Sequence, residues 1–394
     1  MIQRGKKKSM GWKSPVATHP GKFLEEILED FGMTQADLAE RIELSKKVVN
    51  EIVKGKNPIT RTTAFKLSKV FPISEDYWIN LQNIYESDKA RLEEEKRIEE
   101  DKQLYLPSFA ETYRELSRIG ATSGHRWVNS NSGGIVLELQ RFYATSSLGY
   151  VKKEIEKEKI SFRKNKHKED KLNYYTIAAW LRLGKIKALK TEAKPYDEKK
   201  LRGLIKGLVH LSLENPYQYL PKLEKMLSEC GVVLAYIPYL KNTHIQGAAT
   251  WIGKEKALVM LNTTNRSEDK FWFNLFHELG HILNHNKESF VSLENGEIEN
   301  EEEKEADAFA QKCLIPDFEN VVTKFNKYPN YKNAIETLSN DIGVSPSILA
   351  GRIAYELMCR GRNVYATLNN FFETKINYSN IGELLASDTT VYLD

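Results

Sequence analysis

The hydrophobic pattern changes period twice along the chain, from helical to strand-like and back. From residue 17 to about 85, apolar positions recur at helical spacing in short runs. Phe23, Ile27, Leu28 and Phe31 form one stripe, closed by Gly32. Met33 to Glu40 predicts a short helix with Thr34 as N-cap, and Ile42-Glu43-Leu44 turns the chain. Ser45 then caps a second helix from Lys46 to about Lys54, closed by Gly55. This is helix-turn-helix spacing. Val49 and Ile52 face the core of that pair, and Lys46, Lys47, Asn50 and Lys54 face outward. Residues 86–104 hold only four apolar side chains among Glu, Lys, Arg and Asp, which predicts a solvated connector helix. Helical patterning returns over 105–225, in candidate helices Phe109 to Ile119, Ile135 to Tyr143, Tyr174 to Leu183, Glu198 to Leu213 and Tyr219 to Glu229. Lys152 to Lys171 is charged and reads as mobile. The period then shortens: Val232 to Ile237, Gly247 to Trp251 and Ala257 to Leu261 are short, β-rich and separated by turn residues. A long apolar helix follows, with Ser267 as its N-cap, and helical patterning resumes to the end, including a second helix-turn-helix spacing from Ala334 to Ile353 that reads first as packing.

That apolar helix carries the chemistry. It contains Phe276-His277-Glu278-Leu279-Gly280-His281, an H-E-x-x-H motif. Residues four apart share a helix face, so both imidazoles reach one cation. Zinc accepts neutral imidazole in a tetrahedral site with one open position. It lowers the pKa of a bound water whose proton the adjacent Glu278 can take. The motif with a third histidine, H-E-x-x-H-x-x-G-x-x-H, is excluded because Asn284 and Lys287 stand where glycine and histidine would be. The third ligand is sought downstream. Ala306, Phe309, Ala310, Cys313 and Leu314 make an apolar stripe bordered by Glu303 and Asp307. Glu303 is assigned as third ligand, and Asp307 as acceptor of the free N–H of a ligating histidine. Glu302 and Glu305 read as a solvated acidic helix start, and His285 as a helix-end residue outside the ligand set.

From about Cys230 to Pro316 the chain resembles the ImmA/IrrE family of metallopeptidases. The resemblance is carried by Gly231 to Leu234, Pro238, Gly247-Ala248, Trp251, Leu261-Asn262, the H-E-L-G-H segment, and Glu303-x-Glu305-Ala306-Asp307-x-Phe309-Ala310 with Leu314-Ile315-Pro316. It implies cleavage of a regulatory protein of the repressor or antitoxin class. It also implies that Gly247, Ala248 and Trp251 lie on a sheet-edge strand to which substrate adds. His244 is a weaker candidate for stabilising the oxyanion.

Residues 17–85 resemble HigA-type antitoxins with a lambda-repressor-like helix-turn-helix. That resemblance rests on His19-Pro20-Gly21, Gly32 to Arg41, Val49 to Thr60 and Tyr77 to Gln82. It implies a transcriptional autoregulator, dimeric on a palindromic operator, with a toxin partner. DNA contacts are then expected from Gln35, Ser45, Lys46, Lys47, Asn50 and Lys54. Glu43 departs from the pattern, standing where glycine is common.

Composition narrows this reading without redirecting it. The chain has 394 residues, 41% hydrophobic and 28% charged, with a net charge of +4. No apolar run reaches membrane length, and the basic start has no apolar core of a secretory signal. Cys230, Cys313 and Cys359 fit no metal pattern and point to a reducing cytoplasm. The expected class is mostly α, α+β, in this order: a basic arm (1–16), a helix-turn-helix domain (17–85), the connector (86–104), a helical middle region (105–225), a zincin-like peptidase core with a small sheet (226–330) and a helical tail (331–394). The alternative is a non-enzymatic antitoxin or repressor whose peptidase-like domain senses or binds a toxin.

Overall fold

The computed structural model describes residues 13–125, 127–128, 132–163, 173–263, 267–285, 289–293, 301–372 and 374–376. The arm expected at 1–16 falls largely outside them. The chain divides into two units, Met1–Glu100 and Asp101–Asp394.

The first unit begins with α1 (Pro20–Asp30), α2 (Gln35–Arg41), α3 (Lys46–Val53) and α4 (Arg61–Val70). His19 caps α1 through its Nδ1, which accepts the Gly21 N–H at 2.9 Å. Gly21 is required by packing, since a Cβ there would lie 2.0 Å from the Ile52 carbonyl oxygen. Thr34 and Asp37 close a reciprocal capping box on α2, and Ser45 Oγ accepts from Val48 N at 3.3 Å at the start of α3. Leu38, Ala39, Val49, Ile52 and Trp78 fill the core between the helices. The expected connector is not a separate element. It is the continuation of α5, a single helix Glu75–Leu104 whose first turns carry Trp78 and Gln82. Gln82 is buried, and its Oε1 accepts from Ile59 N at 3.0 Å, which ties α5 to the α3–α4 loop.

The second unit opens with helices α6 (Ala110–Arg118), α7 (Ser132–Tyr143), α8 (Leu148–Arg163), α9 (Tyr174–Lys190), α10 (Glu198–Leu208) and α11 (Pro216–Ser228). The part of Lys152 to Lys171 that reaches Arg163 belongs to helix α8, and the remainder, 164–171, lies outside the described residues. Strands β1 (Val232–Ile237), β2 (Ile245–Ile252) and β3 (Lys256–Asn262) follow, then α12 (Glu268–Asn284), β4 (Phe290–Leu293) and α13 (Glu301–Leu314). Helices α14 (Phe318–Phe325), α15 (Tyr331–Ile342), α16 (Pro346–Cys359) and α17 (Tyr365–Phe372) complete it.

The sheet has the order β1-β3-β2-β4, with β1 parallel to β3 and the other two pairings antiparallel. Helices α9 and α12 both pack on it. Alternate side chains of β3 divide between them: Met260 meets Gly184 of α9, while Val259 and Leu261 join the core containing Trp272 and Leu275 of α12. Cover on both faces explains why β1 and β3 read as continuous apolar runs. The second helix-turn-helix spacing is α15–α16. Ile348, Leu349, Ile353 and Ala354 of α16 are buried and the helix packs against α12, so this pair is core. No described helix is long and apolar enough to cross a membrane.

Candidate metal centre

Helix α12 is apolar on most of its surface, with Phe271, Trp272, Leu275, Phe276 and Leu279 buried. Ser267 occupies its N-cap position but makes no capping bond; its hydroxyl turns to Asp269 instead. Gly280 decides how closely α13 approaches. A Cβ there would stand 3.1 Å from Phe309 and 3.3 Å from the Ala306 Cα. Two small residues facing each other bring α13 against α12, and Glu303, one turn before Ala306, and Asp307, next to it, meet the histidines.

The distances define one centre. His277 Nε2 lies 3.1 Å from Glu303 Oε2 and 3.1 Å from His281 Nε2, and His281 Nε2 lies 3.5 Å from Glu303 Oε1. On its other side His277 Nδ1 lies 2.7 Å from Asp307 Oδ1. Three ligands on tetrahedral zinc, each bonded at about 2.0–2.1 Å, stand about 3.3–3.4 Å apart. The donor set, two imidazoles and a carboxylate, is that of a three-ligand catalytic zinc. His277, His281 and Glu303 can therefore hold such an ion, and they form a grouping of metal-ligand type among the described residues. The protonation equilibria agree. Burial disfavours the His277 cation, yet hydrogen bonds to Asp307 and Glu303 outweigh it and raise the pKa to about 10. Burial likewise opposes Glu303 ionisation, yet both histidines hold it down at about 2. A cation takes the place of the proton in such a site.

Glu278 is fully buried, which pushes its pKa up to about 8. Its Oε1 accepts from Ser292 Oγ at 2.8 Å, and its Oε2 has no hydrogen-bond partner among the described residues. Gly247 gives the carboxylate its room: a Cβ there would lie 2.4 Å from Glu278 Oε1. Phe290 lies flat on the His281 ring, with centroids 4.3 Å apart and an 11° tilt. His285 Nδ1 is 3.0 Å from His281 Nδ1, and His285 Nε2 is 3.2 Å from Glu305 Oε2.

One expectation is overturned. Gly247 and Ala248 are not on an edge strand. Between β3 and β4, Gly247 pairs with Leu261 and Ser292, and Ala248 with Met260 and Val291. Trp251 pairs with Ala257 on β3, beyond the β2–β4 pairing, and meets the Tyr196 ring. Among the described residues the sheet edge on this side is β4, a strand absent from the sequence-based expectation. Glu305 is exposed, in keeping with its solvated reading, and it also meets His285. His244 lies in the β1–β2 loop with φ +51. His210 bonds the Gly343 carbonyl at 2.9 Å, His125 pairs with Glu138 at 2.9 Å, and His167 lies outside the described residues.

In the first unit Lys46 and Lys47 are exposed on α3, and Lys54 is exposed at its C-cap. Lys47 is 4.0 Å from Glu51. Ser45 Oγ is committed to its cap, and Asn50 Nδ2 donates to Gln35 Oε1 at 3.0 Å, so those two side chains support each other. Glu43 takes φ +51, the left-handed conformation that explains the usual glycine there.

Comparison with known proteins follows the same division. The helix-turn-helix family matches residues 24–78, and the peptidase M78 family, described as an IrrE N-terminal-like domain, matches 228–354. Virulence-associated protein I of Dichelobacter nodosus is 35% identical over 88 residues, 22% of this chain and 74% of its own. An uncharacterized HTH-type transcriptional regulator of Haemophilus influenzae is 34% identical over 84 residues, 21% of this chain and 77% of its own. Among solved structures, the Pseudomonas aeruginosa antitoxin HigA with the higBA promoter is 34% identical, covering 21% of this chain and 92% of that one with a TM-score of 0.20. A HigA-family addiction module antidote protein from Coxiella burnetii is 32% identical, covering 22% and 94% with a TM-score of 0.20. The chain belongs to the helix-turn-helix regulator family through its N-terminal unit, and its second unit carries an IrrE N-terminal-like domain of the peptidase M78 family.

Proposed function

We propose that the chain is a DNA-binding transcriptional regulator of the antitoxin class whose second unit is a zinc-dependent endopeptidase acting on a regulatory protein of repressor or antitoxin type. The observation that carries this is the convergence of His277 Nε2, His281 Nε2 and Glu303 within 3.1–3.5 Å of one another, with the unpartnered Oε2 of buried Glu278 on the same helix. When bound, zinc supplies Lewis acidity that polarises a carbonyl and acidifies water. The protein supplies the rest. Asp307 accepts the Nδ1–H of His277, which leaves the Nε2 lone pair for the metal. Ser292 occupies Oε1 of Glu278, so Oε2 is the oxygen that takes a proton and returns it to the leaving amine. A peptide adds as a strand along the outer edge of β4, whose Phe290 and Ser292 touch His281 and Glu278.

In the first unit, Lys46, Lys47 and Lys54 meet phosphates as α3 enters the major groove of operator DNA, and a homodimer reads a two-fold site. The HigA likeness adds a toxin as partner.

A second reading keeps the DNA-binding unit and makes the M78 domain a non-catalytic sensor or toxin-binding module. One observation favours it: Glu278 is fully shielded from solvent in the conformation described. Profiling of new protein N-termini in lysate separates the two. Endopeptidase action predicts termini that arise with wild type and disappear with Glu278→Gln; identical profiles from both leave the non-catalytic reading.

A further inference from the structure

Resting on the zinc-site reading above, the geometry points to a further pair of positioning residues: His285 and Glu305 form a hydrogen-bond relay that orients His281 on the metal. His281 faces His277 and Glu303 through Nε2, and its opposite nitrogen, Nδ1, lies 3.0 Å from His285 Nδ1. Two nitrogens at that distance make a hydrogen bond only if one carries the proton and the other a lone pair. With Nε2 committed to a metal, the proton of neutral His281 is on Nδ1, so His285 Nδ1 is the acceptor. The His285 proton is then on Nε2, which lies 3.2 Å from Glu305 Oε2. Glu305 thus selects the one His285 tautomer able to accept from His281.

The relay parallels the direct contact of Asp307 with His277, with one imidazole interposed. It also explains why His285 is not a ligand, since it meets the side of the His281 ring away from the other donors. Phe290 holds both rings, lying flat on His281 and at 45° to His285 with centroids 5.2 Å apart. The His285 side chain is only 7% exposed, whereas Glu305 is 58% exposed. The relay therefore begins at the buried centre and ends at the surface.

The test is zinc affinity of the full chain, measured by titrating metal-free protein in competition with a chromophoric chelator. His285→Phe keeps an aromatic ring but cannot accept, and weakens zinc binding about 10–100-fold. His285→Asn places a carbonyl oxygen near the Nδ1 position and restores most of that loss. Glu305→Ala weakens binding less than His285→Phe does, and Glu305→Gln, which can still accept, stays near wild type. The visible absorption bands of the cobalt-substituted protein shift in His285→Phe and not in Glu305→Gln, a readout that general loosening of the fold does not produce. Wild-type affinity in His285→Phe, or equal losses in the Phe and Asn variants, overturns the relay. If His285→Phe fails to fold, the exposed Glu305 pair decides, and equal affinity in its Ala and Gln variants overturns the relay. Wild-type protein that binds no zinc overturns the zinc reading as a whole, a different result from zinc binding that is indifferent to His285.

Discussion

Replacing Gly247 by alanine tests whether the β2 backbone and the Glu278 carboxylate are fitted to each other. Gly247 is not among the glycines with positive φ, so its backbone accepts a side chain, and the penalty is steric. A Cβ there stands 2.4 Å from Glu278 Oε1 and 3.0 Å from both Cδ and Cγ. An ordinary contact is about 3.4 Å or more, so something moves by about 1 Å. Strand β2 cannot give, because β3 and β4 both pair with it here. The carboxylate must swing, losing its bond from Ser292. Overpacking of this kind costs about 1–3 kcal/mol. The metal ligands are untouched, so zinc content stays at wild-type level. The assay is urea denaturation of the metal-free protein as a double-mutant cycle with Glu278→Ala. Removing the carboxylate leaves space for the new methyl group, so Gly247→Ala should cost little in that background. The expected coupling is about 1–2 kcal/mol. Equal costs of Gly247→Ala in both backgrounds would refute the claimed contact.

Three further outcomes follow from other parts of the chain. Glu43→Gly should stabilise the first unit by about 0.5–1 kcal/mol in chemical denaturation, because relief of a left-handed glutamate, worth about 1–2 kcal/mol, exceeds the added freedom of glycine when unfolded; a destabilised variant contradicts it. Lys46→Ala and Lys47→Ala should each reduce the salt dependence of operator binding by about one ionic contact in fluorescence anisotropy; unchanged slopes contradict the α3 placement. Burial raises the pKa of Glu268, which accepts from Ser345 Oγ at 2.8 Å. A carboxyl raised on folding favours the native state below its unfolded pKa. That contribution is lost as pH rises from the unfolded value through the folded one. Glu268→Gln should therefore gain stability relative to wild type as pH rises through that window, and a pH-independent difference contradicts the assignment.

Much of this architecture was legible because it is local. The H-E-x-x-H spacing places its histidines by helix geometry alone, and Glu303 with Asp307 required only a second helix period. The caps Thr34 and Ser45 act within three residues, and they stand where the pattern put them. What was not legible depends on partners distant in sequence. Strand β4 is four residues long, too short for its alternation to stand out, yet it decides which strand is the edge and brings Ser292 to Glu278. The signal that could have found it is Phe290-Val291-Ser292-Leu293 itself, a polar residue inside an apolar run. Glu305 is solvated as its acidic surroundings indicate, but its contact with His285 was not legible, because only the fold of α13 back onto α12 brings the two together. The connector was split from its helix because its composition turns polar at about residue 86, whereas the backbone of α5 continues through that change.

The central claim is a catalytic metal centre held by His277, His281 and Glu303 with Glu278 outside the ligand set. Zinc stoichiometry of the purified full chain by elemental analysis tests it most directly, comparing wild type with His277→Ala, Glu303→Ala and Glu278→Gln. The account predicts about one zinc per chain in wild type and in Glu278→Gln, and loss of most of it in the other two. Absence of zinc from wild type, full retention in His277→Ala, or loss in Glu278→Gln would contradict it.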